Sequence, residues 1–156
     1  MVQLTDNDKS WLGDNYPELT FDETTNIIKG SLAFSLQYCE GKTISDKYDI
    51  EILLNEQDYS LLPVVKEVGG KIQRYATIAH IRQDQLHQYE DGRMCMVRPD
   101  KVEQWYVDGF DFKTLMHHIE THLYWVTHTA LYGKEPWPGE PHGGEYINNN
   151  EKWKKQ

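Results

Sequence analysis

Apolar and polar residues alternate most clearly between Ile27 and Tyr38, where Leu32, Phe34, Leu36 and Tyr38 interleave with Ala33, Ser35 and Gln37. A two-residue period puts the larger set on one face of a half-buried strand, with Cys39 on the opposite face. Glu40-Gly41-Lys42 reads as a turn. The alternation resumes at Tyr48, Ile50, Ile52 and Leu54 against Asp49 and Glu51, predicting a second strand antiparallel to the first. Leu61 to Val68 predicts a third, ended by Gly69-Gly70, and Pro63 marks its start or an exposed edge. The expected sheet is a meander of at least three strands.

Helical spacing brackets this sheet. Trp11, Leu12, Tyr16 and Leu19 predict a short amphipathic helix within Asp6 to Leu19, interrupted by Gly13 and Pro17. Phe112, Leu115, Met116, Ile119, Leu123, Val126 and Ala130 follow the i, i+3, i+4, i+7 pattern of a longer one, with Asp111 as N-cap and Gly133 as stop. Its apolar stripe is expected to cover one face of the sheet. Between the two, Lys71 to Cys95 shows no sustained period apart from Ile78-Ala79 and Ile81. It therefore reads as a long loop, a feature more often functional than idle, before a short helix within Lys101 to Val107. Glu135 to Gly144 is too rich in proline and glycine for a helix, and Trp137 is expected to pin it to the body. The pattern predicts an α+β fold in one domain over residues 1–147, followed by a polar tail over 148–156, without internal repeats.

Composition narrows the class. The chain has 156 residues, 38% hydrophobic and 12% aromatic, enough for a folded core. A net charge of −9 disfavours nucleic acid and anionic membranes, which call for a basic face; it suits docking to a basic protein surface or tail. No apolar run approaches the ~20 residues that cross a bilayer, and Met1 to Asp6 lacks the basic-then-apolar lead of a secretion signal. The cytoplasm is the expected compartment, where Cys39 and Cys95 would stay reduced.

The stretch Tyr89-Glu90-Asp91-Gly92-Arg93-Met94-Cys95-Met96 carries the candidate chemistry. A turn signal precedes a cysteine flanked by Arg93 and Arg98, with His80 and His87 upstream; nearby cationic groups favour the reactive thiolate. The competing reading is an inert, buried cysteine. Another candidate is a metal site from His117, His118, His122 and His128, although the His-Glu-x-x-His spacing is absent. A cysteine hydrolase would need His80 or His87 within hydrogen-bond reach of Cys95. Gly69-Gly70-Lys71 lacks the spacing of a phosphate-binding loop. The remaining option is a thiol that carries an acyl group as a thioester and hands it to an amine. That task needs an accessible loop and a donor for the developing oxyanion.

Several segments in order resemble the ubiquitin-conjugating enzymes, and more specifically their bacterial branch. They are Tyr48-Asp49-Ile50-Glu51-Ile52, Leu62 to Ile72, Asp91-Gly92-Arg93-Met94-Cys95-Met96, Gly133 to Pro138, and Pro141-His142-Gly143. The resemblance implies the family's fold: an N-terminal helix, an antiparallel β-meander, an active-site loop and C-terminal helices. It implies that Cys95 forms the thioester. The family's His-x-Asn element is matched in part: one register offers His87 and Tyr89, the other His80 and Arg82, and neither supplies the asparagine. No cofactor or metal is implied. The implied partner is a protein carried by its C-terminus. This is either a cGAS-like nucleotidyltransferase, as in the short type II CBASS antiphage systems, or a ubiquitin-like protein, with or without a separate activating enzyme. The CBASS arrangement is the preferred expectation. The alternative is a catalytically silent adaptor of the same fold.

Overall fold

The computed structural model describes residues 2–38, 41–58, 61–97 and 101–138. Helix α1 (Asp6–Asn15) is followed by four strands, β1 (Leu19–Asp22), β2 (Ile27–Leu36), β3 (Ile44–Gln57) and β4 (Pro63–Glu67). Then come α2 (Lys71–Ala79), a 3-10 turn (Gln83–Leu86), α3 (Val102–Trp105) and the long α4 (Phe112–Tyr132). The strands form one antiparallel sheet in the order β1-β2-β3-β4, so the architecture is α+β, with a meander between helices.

Register follows the alternation. Ile28 pairs with Ile52 and Leu32 with Tyr48, which sets the even-numbered apolar residues of β2 and β3 on one face. Ile28, Leu32, Phe34, Tyr48, Ile50, Ile52 and Leu54 are buried there with Leu12, Ile72, Leu115, Met116, Ile119 and Leu123 from the helices. The other face carries Lys29, Ser35, Lys47 and Asp49, all exposed. A one-residue slip would exchange the two faces. Asp111 caps α4 by accepting from the Thr114 N–H at 2.9 Å, and Gly133 ends it at φ 70°, as the sequence predicts. Pro63 begins β4, the edge strand, where a missing N–H is tolerated.

Two expectations are corrected. The first helix stops at Asn15, and Leu19 belongs to β1; Pro17 breaks the helix, and the alternation of buried Leu19 with half-buried Phe21 spans too few residues to stand out. The segment after Gly70 is not a continuous loop. Lys71–Ala79 is helical, because Glu67 at the end of β4 turns its buried carboxylate onto the Lys71 and Ile72 N–H groups at 3.2 and 3.0 Å. Those are orphan donors at the helix start. This cap comes from a strand, so no local capping signature reveals it.

A buried polar cluster joins sheet to helices. The Asp46 carboxylate accepts from the Lys71 ammonium, from Tyr75 at 2.8 Å and from Thr127 at 3.2 Å. Thr127 and Tyr48 are 2.7 Å apart, hydroxyl to hydroxyl. Burial pushes the Asp46 carboxyl upward, but Lys71, the Lys47 N–H and Tyr75 outweigh it and hold the group below its ordinary range. Beyond α4, Trp137 stacks on Tyr124, and its carbonyl accepts from the Trp125 indole at 2.9 Å. The aromatic pin expected there is present. Residues 148–156, like Cys39, Arg98 and Pro141-His142-Gly143, lie outside the described residues.

Candidate active site

Cys95 follows a tight reversal built onto the free edge of β4. The Gly92 N–H donates to the Tyr89 carbonyl at 3.0 Å and the Tyr89 N–H to the Arg93 carbonyl at 2.9 Å. The reversal is tied to the sheet by Glu67 N–H to Gly92 O at 3.0 Å and Met94 N–H to Val65 O at 2.9 Å. Gly92 has φ 95°, and a Cβ there would lie 3.0 Å from the Glu67 carbonyl. Positive φ and close backbone approach both call for glycine. Met94 is 2% exposed and anchors the loop in the core, which leaves Cys95, the next residue, half-buried at the surface.

Gln88 braces this reversal. It is 4% exposed. Its Nε2 donates to the carbonyls of Gly92 and Glu67 at 3.0 and 3.3 Å, and its Oε1 accepts from Gln83 at 2.7 Å. The backbone of Gln88 also bridges to Met94. Nothing local marks this residue in the sequence: a glutamine at the middle position of His87-Gln88-Tyr89 carries no signal until the fold buries it.

The two candidate histidines part company. His80 closes α2 in the left-handed region, is exposed, and lines neither hollow described below. His87 closes the 3-10 turn at φ 58°. Its carbonyl accepts from the Cys95 N–H at 2.9 Å, and its ring meets Trp125 of α4 edge-on at 4.9 Å between centroids. His87 thus ties the cysteine loop to the long helix through both backbone and ring. Arg93 is engaged on the turn side, with Asp91 at 2.8 Å and over the Tyr89 ring at 5.3 Å.

Cys95 and His87 form the shared wall of two hollows. One, of about 90 Å³, is lined also by Trp105, His118, His122 and Trp125. The other, of about 390 Å³, is lined also by Arg82, Gln85, Gln88 and Tyr89. Arg82 and Tyr89, the two residues that the resemblance sets against an asparagine, therefore share a hollow with Cys95. Arg82 donates through Nε to Asp84 at 3.0 Å.

On the α4 side, the Nδ1 of His118 is 3.0 Å from the Tyr106 hydroxyl. Burial, with the neighbouring His117 adding to it, pulls the His118 ring down to about 4. Burial and His87 pull His122 down to about 3. Both are neutral in the ordinary physiological range. Among the described residues no three His, Cys, Asp or Glu side chains are grouped to hold a metal ion, and no helix is long and apolar enough to cross a membrane. Comparison with protein-family models, with curated proteins and with solved structures gives no match for the chain.

Proposed function

We propose that this protein is a ubiquitin-conjugating-like acyl carrier, with Cys95 as the thioester-forming residue. The observation that carries the reading is a half-exposed cysteine forming the common wall of two hollows, on a loop tied to both sheet and long helix. A carrier has to meet two molecules in turn, the donor of the acyl group and the amine that removes it, and a thiol reached from two sides serves both. The Cys95 sulfur attacks an activated C-terminal carbonyl of the carried protein, displaces its leaving group and becomes a thioester. An amine then attacks the same carbonyl, forming an amide and releasing the thiol. Tyr89 and Arg82, which line the larger hollow with Cys95, are side chains able to donate to the oxyanion. His87 orders the loop.

The carried protein in this reading is a cGAS-like nucleotidyltransferase or a ubiquitin-like protein, in bacterial antiviral defence. The test replaces Cys95 with lysine or serine, in the presence of the protein encoded by the neighbouring gene and any activating enzyme. A stable amide or ester adduct at position 95 is expected. Its absence, with Cys95 itself also unmodified, rules the carrier out. The missing asparagine favours one alternative, a silent adaptor of the same fold, for which Cys95→Ala would leave both partner binding and biological activity intact.

A further inference from the structure

The long helix meets the elements around Cys95 through imidazoles. His118 and His122 stand four residues apart on α4, and both line the smaller hollow. His118 reaches α3: its Nδ1 is 3.0 Å from the Tyr106 hydroxyl, and its ring meets Trp105 edge-on at 5.2 Å between centroids. His122 faces the cysteine loop, its ring centroid 6.3 Å from that of His87. The Nε2 atom of each α4 histidine is buried and has no hydrogen-bond partner. A proton added to either ring therefore places a charge beside a buried N–H that neither water nor an acceptor meets. His118 would still donate to Tyr106 through Nδ1, but its Nε2 would stay unmet.

The groups that face these rings do little to offset such a charge. His117 of α4 and His87 of the loop are bases, and protonation of either adds positive charge. Cys95 could balance a cation as a thiolate, so the test below removes it. From α3 the facing polar group is the Tyr106 hydroxyl; Asp58 and Asp111 act on it, but neither gives a hydrogen bond to an Nε2 atom. Lys101 and Glu103, at the head of α3, do not line the hollow, and the segment after α4 contributes only Trp137 and Pro138. Among the described residues no Asp or Glu is on the lining. Burial accordingly holds both α4 rings below the ordinary histidine range.

We propose that this face of α4 is a proton-operated clasp: neutral His118 and His122 hold α3 and the Cys95 loop against the helix, and proton uptake releases both, opening the smaller hollow to solvent. The inference does not rest on the carrier reading. It makes access to Cys95 from this side depend on pH, whereas the larger hollow is lined by neither histidine. In the open state each ring regains its ordinary pKa near 6.5, above its value in the closed state. Opening therefore binds protons: the clasp stays shut above about pH 6.5 and loosens as pH falls below it. Between pH 7.5 and 5.5 each histidine multiplies the opening constant by about ten, and the two together by about a hundred.

Native-state hydrogen exchange measures the opening. The probes are the backbone amide at position 95, bonded to the His87 carbonyl, and that of Tyr106, bonded to the Val102 carbonyl. Both are followed in Cys95→Ala protein at pH 7.5 and 5.5 and corrected for intrinsic exchange. Their protection is expected to lie below that of the β3 amides at both values, to change little in low urea, and to fall about a hundredfold between the two. His118→Phe and His122→Phe should each reduce that fall to about tenfold, and the double variant should abolish it. His117→Gln should leave it at about a hundredfold. Protection independent of pH, exchange only together with β3, a fall that survives in the double variant, or one lost in His117→Gln would overturn the proposal.

A second measurement needs no histidine variant and so covers the case in which those variants fail to fold. In ¹⁵N-histidine spectra of the unaltered sequence, the ring signals of His118 and His122 should remain those of neutral imidazole at pH 5.5. Rings that take up protons near pH 6.5 while the amide at position 95 keeps its protection would show a helix face indifferent to charge, and the clasp would be rejected. Neither measurement involves an acyl group or a partner protein. Failure of the clasp therefore leaves the carrier reading standing, and a working clasp would survive the finding that no protein ever joins Cys95.

Discussion

Replacing Gln88 by leucine tests whether the Cys95 loop is held as described. The substitution keeps a similar volume and removes three side-chain hydrogen bonds, to Gly92 O, Glu67 O and Gln83. Two of the three partners keep another hydrogen bond, and the bond lost at the third is long. The Gly92 carbonyl keeps the Glu67 N–H at 3.0 Å, the bond to Glu67 O is long at 3.3 Å, and Gln83 still reaches the Tyr89 carbonyl at 3.2 Å. The loss therefore belongs at the lower end for buried hydrogen bonds, about 1–2 kcal/mol, or roughly 3–6 °C in Tm for a chain of this size. Gln88→Glu should cost more, about 3 kcal/mol, since it turns a buried carboxylate towards two carbonyl oxygens. Urea denaturation measures the stability. Alkylation of Cys95 by iodoacetamide, with Cys39 replaced by serine, measures the loop, and its rate should rise several-fold in Gln88→Leu well below Tm. Stability within about 0.5 kcal/mol of the parent together with an unchanged alkylation rate would refute the bracing role.

Gly92→Ala should destabilise by about 1–2 kcal/mol, because alanine resists the left-handed backbone and its Cβ would press on the Glu67 carbonyl; a thermal melt matching the parent would contradict it. Glu67→Ala removes the acceptor for two N–H groups at the start of α2, an expected loss of about 1–2 kcal/mol, and hydrogen exchange should be faster at Lys71 and Ile72 than across β3. The histidines give a pH signature. Their folded pKa values, about 4 for His118 and about 3 for His122, lie below the unfolded value near 6.5, so the unfolded chain binds more protons as pH falls. Stability should decline from about pH 6.5 towards 4, and His122→Phe should flatten that slope in denaturation midpoints taken across the range. Asp46 acts lower: its depressed carboxyl contributes stability that is present above about pH 4 and lost as pH drops through the folded value. Asp46→Asn should therefore lose stability at neutral pH and differ less from the parent in acid.

What the sequence determined by itself was whatever depends on near neighbours along the chain. The faces of β2 and β3 follow from a period of two, and α4 follows from a long periodic stripe between an Asp cap and a Gly stop. The cysteine loop was legible as a turn before a thiol, because Asp91-Gly92 is a local signal. Contacts far apart in sequence decided the rest. The start of α2 depends on a glutamate at the end of a strand, and β1 is defined by its pairing with β2. His87 rather than His80 stands at the wall beside Cys95 because its ring finds Trp125 on α4. Gln88 became a brace, and His118 and His122 became lining of a hollow, only once packing buried Gln88, His118 and the Nε2 of His122. Burial and unpaired polar atoms are properties of packing between elements, and no window of sequence contains both sides of such a contact.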